Sequence, residues 1–235
     1  MSRINLRSYR WVGAFLSTLY CSGMSGCDSA SVTMMDLGSE TVSDLGPLPP
    51  STPAAGNPDG KCAIPAEAQA ESITAPTTVI GTGTPASCTS DAVVGAVAKG
   101  GVITFHCGPD PMTITMTQTA KIFNDKGPKI VIDGGGKITL SGGGKVRILY
   151  QNTCDQAQKW TTNHCNDQDH PLLTVQNLTF VDGNAKGLNP GGGGAIFASG
   201  GRLKVVNSRF FRNVVDDTGP DVGGAAIRSL NQSMG

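Results

Sequence analysis

Read for hydrophobic and polar positions, the chain changes character near residue 87. Between residues 28 and 86 the apolar residues follow neither a 2.0 nor a 3.6 period, and Ser, Thr, Pro, Ala and Gly dominate. Such a stretch buries too little apolar surface to offset its ordering entropy, so the pattern predicts a flexible tether over residues 27–86. Helical spacing first arises at Val93, Val94 and Val97, which predicts a helix over residues 90–98. Thr89 or Ser90 can cap it, Asp91 suits the positive end of its dipole, and Gly100-Gly101 can end it.

Beyond the helix the period switches to two. Short alternating runs recur between glycine or asparagine turns: 102–105, 112–116, 129–133, 137–140 and 146–149. No helix of useful length separates them, which argues against βαβ units.

The chain also repeats itself. Leu173, Val175, Asn177 and Phe180 align with Leu203, Val205, Asn207 and Phe210 at an offset of thirty residues, and Gly193-Gly194-Ala195 aligns with Gly223-Gly224-Ala225. Neighbouring strands lie about 4.8 Å apart, so each aligned pair can stack. Asn177 with Asn207 predicts an amide ladder at a turn where asparagine tolerates left-handed backbone, and Phe180 with Phe210 predicts a ring stack.

These features predict an all-β domain over residues 87–235: a right-handed parallel β-helix, or solenoid, opened by a short capping helix. Gly193-Gly-Ala-Ile-Phe197 and Phe210-Phe-Arg-Asn213 resemble the paired Gly-Gly-Ala-Ile and Phe-x-x-Asn motifs of the polymorphic outer-membrane protein repeat, within the pectate-lyase-like β-helix family. The resemblance covers roughly residues 173–230. It implies a surface protein associated with adhesion and is specific for fold rather than for activity. The second Gly-Gly-Ala unit departs from the pattern by an extra alanine before Ile227. No capping element follows that unit before Gly235, which predicts a solenoid truncated at its C-terminal end.

The N-terminus reads as an address. Arg3, Arg7 and Arg10 precede an apolar stretch with the length of a signal-peptide core, which predicts a signal peptide over residues 1–26. Met24-Ser25-Gly26-Cys27 is similar to a bacterial lipobox, although Met24 stands where Leu is usual. The expectation is a lipid on Cys27, anchorage to a membrane, and a place in the cell envelope at the outer membrane or cell surface. Simple secretion is the alternative.

Charge narrows the partners. The 18 basic and 18 acidic residues cancel, which argues against a nucleic-acid groove. Abundant glycine and scarce aromatic residues suit repetitive β architecture. In an oxidising envelope Cys88 with Cys107, and Cys154 with Cys165, are the expected disulfides, leaving Cys62 odd. A metal site from Cys154, His164, Cys165 and His170 is the alternative, with spacing that fits no common zinc motif.

The sequence carries no convincing catalytic set. There is no Gly-x-Ser-x-Gly elbow and no His-Glu-x-x-His. Asp182 and Arg212 stand thirty residues apart and predict a cross-strand ion pair worth about 0.2–1 kcal/mol. Asp216, Asp217 and Asp221 read as a solvated turn around Gly219-Pro220, with calcium binding as the alternative; otherwise no cofactor is expected. The expected function is therefore a surface-exposed lipoprotein for adhesion or glycan binding, without catalysis. The competing readings are a polysaccharide lyase or glycosidase with an incomplete site, and a structural envelope protein or nonfunctional fragment.

Overall fold

The computed structural model describes residues 63–159, 163–219 and 222–231. Strand β1 (Thr78–Ile80) comes first, followed by helix α1 (Ser90–Lys99). The Thr89 side chain caps α1 by accepting from the Ala92 N–H, and Gly100, at φ 74°, ends it where a side chain would be strained. Strands β2 (Gly101–Phe105), β3 (Met112–Thr115) and β4 (Ala120–Ile122) follow. Next come β5 (Lys129–Ser141), β6 (Leu149–Asn152) and β7 (Leu172–Val181). The last are β8 (Ile196–Ser199), β9 (Arg202–Val206), β10 (Arg209–Phe211) and β11 (Ile227–Leu230).

All strand pairs are parallel. One seven-stranded sheet runs β1-β2-β5-β7-β10, with β3 also on β5 and β9 also on β7. A separate four-stranded sheet runs β11-β8-β6-β4. A single apolar cluster joins the two sheets and α1, through Val93 and Val97 from the helix, Ile103, Ile132, Leu173 and Phe180 from the larger sheet, and Ile122, Leu149 and Ile196 from the smaller.

This arrangement corrects the expected fold class. The described residues do not form an all-β, right-handed parallel β-helix with a helix merely closing one end. They form two open parallel sheets and a helix that packs on β4 and β1 and buries Val93, Ala96 and Val97 in the common core, a mixed α/β-like arrangement. The physical reason lies in the helix face. Three apolar residues at helical spacing need a partner surface, and the strand pattern offers one at β1 and β4, so α1 joins the layers.

Two local expectations also change. The runs 129–133 and 137–140 belong to one thirteen-residue strand, with a register shift between Asp133 and Ile138 rather than a chain reversal. The run at 146–149 becomes a strand only from Leu149, because Lys145 and Val146 donate their N–H groups back to the Gly142 carbonyl in a turn.

The segment read as tether is packed in its last part. β1 pairs with β2 through Thr78, Val79 and Ile80, and Ile80 is buried. Thr77 exchanges hydrogen bonds with Val102. The run Thr78–Ile80 is too short to show a period, so alternation alone does not reveal it.

The thirty-residue offset is the register of neighbouring strands. Leu173 lies beside Leu203, Val175 beside Val205 and Phe180 beside Phe210. Asn213, the asparagine of the Phe-x-x-Asn motif, accepts from the Gly183 N–H and donates to the Phe180 carbonyl, tying the end of β7 to the chain that follows β10. Gly183 is glycine because the Gly194 carbonyl occupies the space its Cβ would need.

Candidate functional site

The site is built on the outer face of β5, β7 and β9. In each strand, alternate side chains enter the core, and those between them point away. Register then places three outward rows across the sheet: Lys129, Leu172 and Arg202; Val131, Thr174 and Lys204; and Asp133, Gln176 and Val206. The polar members of the rows are two lysines, an arginine, an amide, a hydroxyl and the buried Asp133 carboxylate.

Across this face runs the chain that precedes β1. Glu71 is its anchor. The Lys129 ammonium donates to one carboxylate oxygen at 2.7 Å and the Lys204 ammonium to the other at 2.9 Å. These two lysines hold the Glu71 carboxyl below its ordinary pKa, chiefly through their hydrogen bonds. The main chain of Glu71 is held as well: its N–H donates to the Gln176 side-chain oxygen at 2.8 Å, and its carbonyl accepts from the Gln176 amide at 3.1 Å.

The network continues inward. Gln176 also donates to the Asp133 carboxylate at 2.6 Å, as does Asn177 at 2.9 Å, and the Gly135 N–H reaches the other oxygen. Asp133 is buried, and these three donors stand in for lost water. Asn207 donates to Asn177 at 2.8 Å, and both asparagines have positive φ.

Two donors at this face are not satisfied. Thr174 is 0% exposed, and its hydroxyl has no hydrogen-bond partner among the described residues; the Arg202 Nε is buried and equally unpaired. A groove lined by Ala66, Glu67, Leu172, Arg202 and Lys204 opens beside the Arg202 side chain.

A second polar cluster was not anticipated from sequence. Arg147 is buried and its guanidinium donates to the carbonyls of Pro190, Gly192 and Gly193. It lies 5.5 Å from the Tyr150 ring centroid and 4.9 Å from that of Phe197. Burial pulls its pKa down to about 10, so it stays protonated at neutral pH. The arginine is a clamp on the glycine-rich loop, which Arg228 also grips at Gly191.

The residues singled out from sequence are distributed as follows. Cys88–Cys107 and Cys154–Cys165 are disulfides. The second bond consumes both thiols of the alternative metal site, and His164 and His170 lie beside Asp167 and Asp169 respectively. Phe180 and Phe210 stack with centroids 5.1 Å apart. Arg212 forms a bidentate pair with Asp182 at 2.7 and 2.8 Å. Asp216 accepts from the Gly187 N–H, while Asp217 pairs with Lys186. Cys27, Cys62 and Asp221 lie outside the described residues. Among the described residues no group of His, Cys, Asp or Glu could hold a metal ion, and no helix is long and apolar enough to cross a membrane.

Sequence reasoning missed Glu71, Lys129, Lys204 and Gln176 as a unit. One signal was available. Where β7 pairs with β9 the core positions Leu173/Leu203 and Val175/Val205 match, while the outward positions Thr174/Lys204 and Gln176/Val206 differ. No protein-family model, curated protein or solved structure matches this chain.

Proposed function

We propose that this is a non-catalytic binding protein of the cell envelope, exported, anchored by a lipid on Cys27 and exposed at the surface, where it serves adhesion or glycan binding. The observation that carries the reading is the convergence of Lys129, Lys204 and Gln176 on one carboxylate-bearing residue at the outer sheet face. A face of this kind recognises an anionic or hydrogen-bonding ligand by charge and by amide pairing. The acidic residues at this face are engaged with protein groups: Asp133 accepts three hydrogen bonds, and Asp169 lies beside His170 and Arg202. Two disulfides favour an oxidising compartment. The likeness of residues 193–197 and 210–213 to a repeat of surface proteins supports the same reading.

The test has two parts. Intact mass of the protein from native envelopes is expected to show cleavage before Cys27 and an added diacylglycerol. The purified full chain is expected to bind cells or a glycan on a broad panel without degrading it, and Lys129→Ala with Lys204→Ala is expected to reduce that binding. Cytosolic protein with an intact N-terminus would overturn the envelope assignment. Cleavage of any glycan on the panel would overturn the non-catalytic one.

A further inference from the structure

We infer that the outer face of β5, β7 and β9 is a docking site for an extended acidic peptide, and that residues 63–77 occupy it in cis as a displaceable strap. The inference rests on the reading of this face as a binding surface and names the chemistry of its ligand.

Three observations carry it. The first is how Glu71 is held. Gln176 engages the N–H and the carbonyl of one residue together, as a neighbouring strand would, while Lys129 and Lys204 take the side chain of that same residue. Main chain and acidic side chain are thus read together, which is peptide recognition by β-like pairing plus charge. A uronic acid without an acetamido group would satisfy the lysines but would not supply an N–H and a carbonyl to Gln176.

The second is charge. Lys129 and Lys204 come from strands 75 residues apart in the chain, and register brings them to one carboxylate. Arg202 lies on the same face and lines the groove with Glu67, its guanidinium 3.7 Å from the exposed Asp169 carboxylate. The face is complementary to a chain with more than one acidic residue.

The third is incompleteness. The strap leaves the fully buried Thr174 hydroxyl and the Arg202 Nε without partners. A site built for this strap alone would satisfy its buried donors. Of the two residues, Arg202 lines the groove, so a ligand with a further carbonyl or carboxylate there would meet its guanidinium. The strap is also held at few points. Residues 63–70 are exposed, as is Ile73, and ordered pairing resumes only at Thr77. Such a segment opens at low free energy.

A cis occupant acts as a competitor at high effective concentration, so it lowers the apparent affinity for any ligand in trans by the fraction of time the face is open. The probe is a fluorescein-labelled synthetic peptide of residues 63–77, titrated against the full chain. Glu71→Gln in the protein loosens the strap and leaves the face intact. We expect the peptide to bind this variant about tenfold more tightly than the wild type. Adding Lys129→Ala and Lys204→Ala is expected to abolish the gain, with circular dichroism and melting confirming that the variant folds. A second measurement uses wild-type protein alone: excess unlabelled peptide is expected to speed hydrogen exchange of the Glu71 amide. Equal peptide affinity for wild type and Glu71→Gln, unchanged exchange, or capture of an oligouronate but not the peptide would each overturn the inference. Loss of cell or glycan binding by the wild-type chain would instead count against the binding-protein reading, so the two failures are distinguishable.

Discussion

The side chain of Gln176 pairs with the backbone of Glu71 across 105 residues of sequence, donating to its carbonyl and accepting from its N–H. The same amide donates to the buried carboxylate of Asp133. One side chain therefore couples the strap to the sheet interior.

Gln176→Leu keeps the volume and removes all three bonds. The buried Asp133 loses its shortest donor, and the Glu71 main chain loses both partners. We expect a loss of about 2 kcal/mol in urea denaturation. Limited proteolysis should also cut earlier within residues 63–77 than in the wild type.

Acid should release the strap. The Glu71 carboxyl has a folded pKa below its ordinary value of 4.5, because two lysines hydrogen-bond its ionised form. A depressed acid contributes stability that is complete above the unfolded pKa and is lost as pH falls through the folded one. Protection of residues 63–77 from protease is thus expected to be flat from neutral pH down to about 5 and to fall below about 4.5. In Glu71→Gln the fall should be absent. Protection that declines between pH 7 and 6 would point to a different group.

Arg147 should not tolerate lysine. Its guanidinium reaches three carbonyls while lying near two rings, a geometry that the fork of arginine meets and a single ammonium does not. Arg147→Lys is expected to cost about 2–4 kcal/mol, since buried carbonyls of the 190–193 loop lose their donors. Chemical denaturation measures the loss, and Lys121→Arg, on an exposed strand position, is the neutral control.

The stacked phenylalanines should differ in their importance. Phe180 is fully buried between layers, while Phe210, one strand outward, is only half-buried. Phe180→Ala is expected to cost about 3–5 kcal/mol and Phe210→Ala roughly half as much, compared by the same urea titration. Equal costs would mean that the outer strand is covered by something beyond the described residues.

Part of the site was readable in the chain and part was not. The alternation in residues 172–176 already separates Leu173 and Val175 from Thr174 and Gln176, so the outward identity of Gln176 follows from period two. Lys129 and Lys204 are outward by the same rule. That the three meet Glu71 does not follow. The strap has no period, and its docking depends on pairings between residues 58 to 133 positions apart. Arg147 was equally hidden, because the carbonyls it holds belong to a loop some 45 residues later, and carbonyls carry no sequence signature.

Short-range information determined the helix near residue 90, the strands at 102–105 and 112–115, the thirty-residue register that sets Leu173 beside Leu203 and Phe180 beside Phe210, and the two cysteine pairings. Each is a matter of period, repeat or proximity in the chain. Tertiary structure decided the rest: two open parallel sheets sharing a core with α1 in place of an all-β solenoid, and an outer face covered by residues that look structureless in isolation. The reason is that repeats specify which strands are neighbours, whereas the layer against which a face is buried depends on the whole set of apolar surfaces competing for cover.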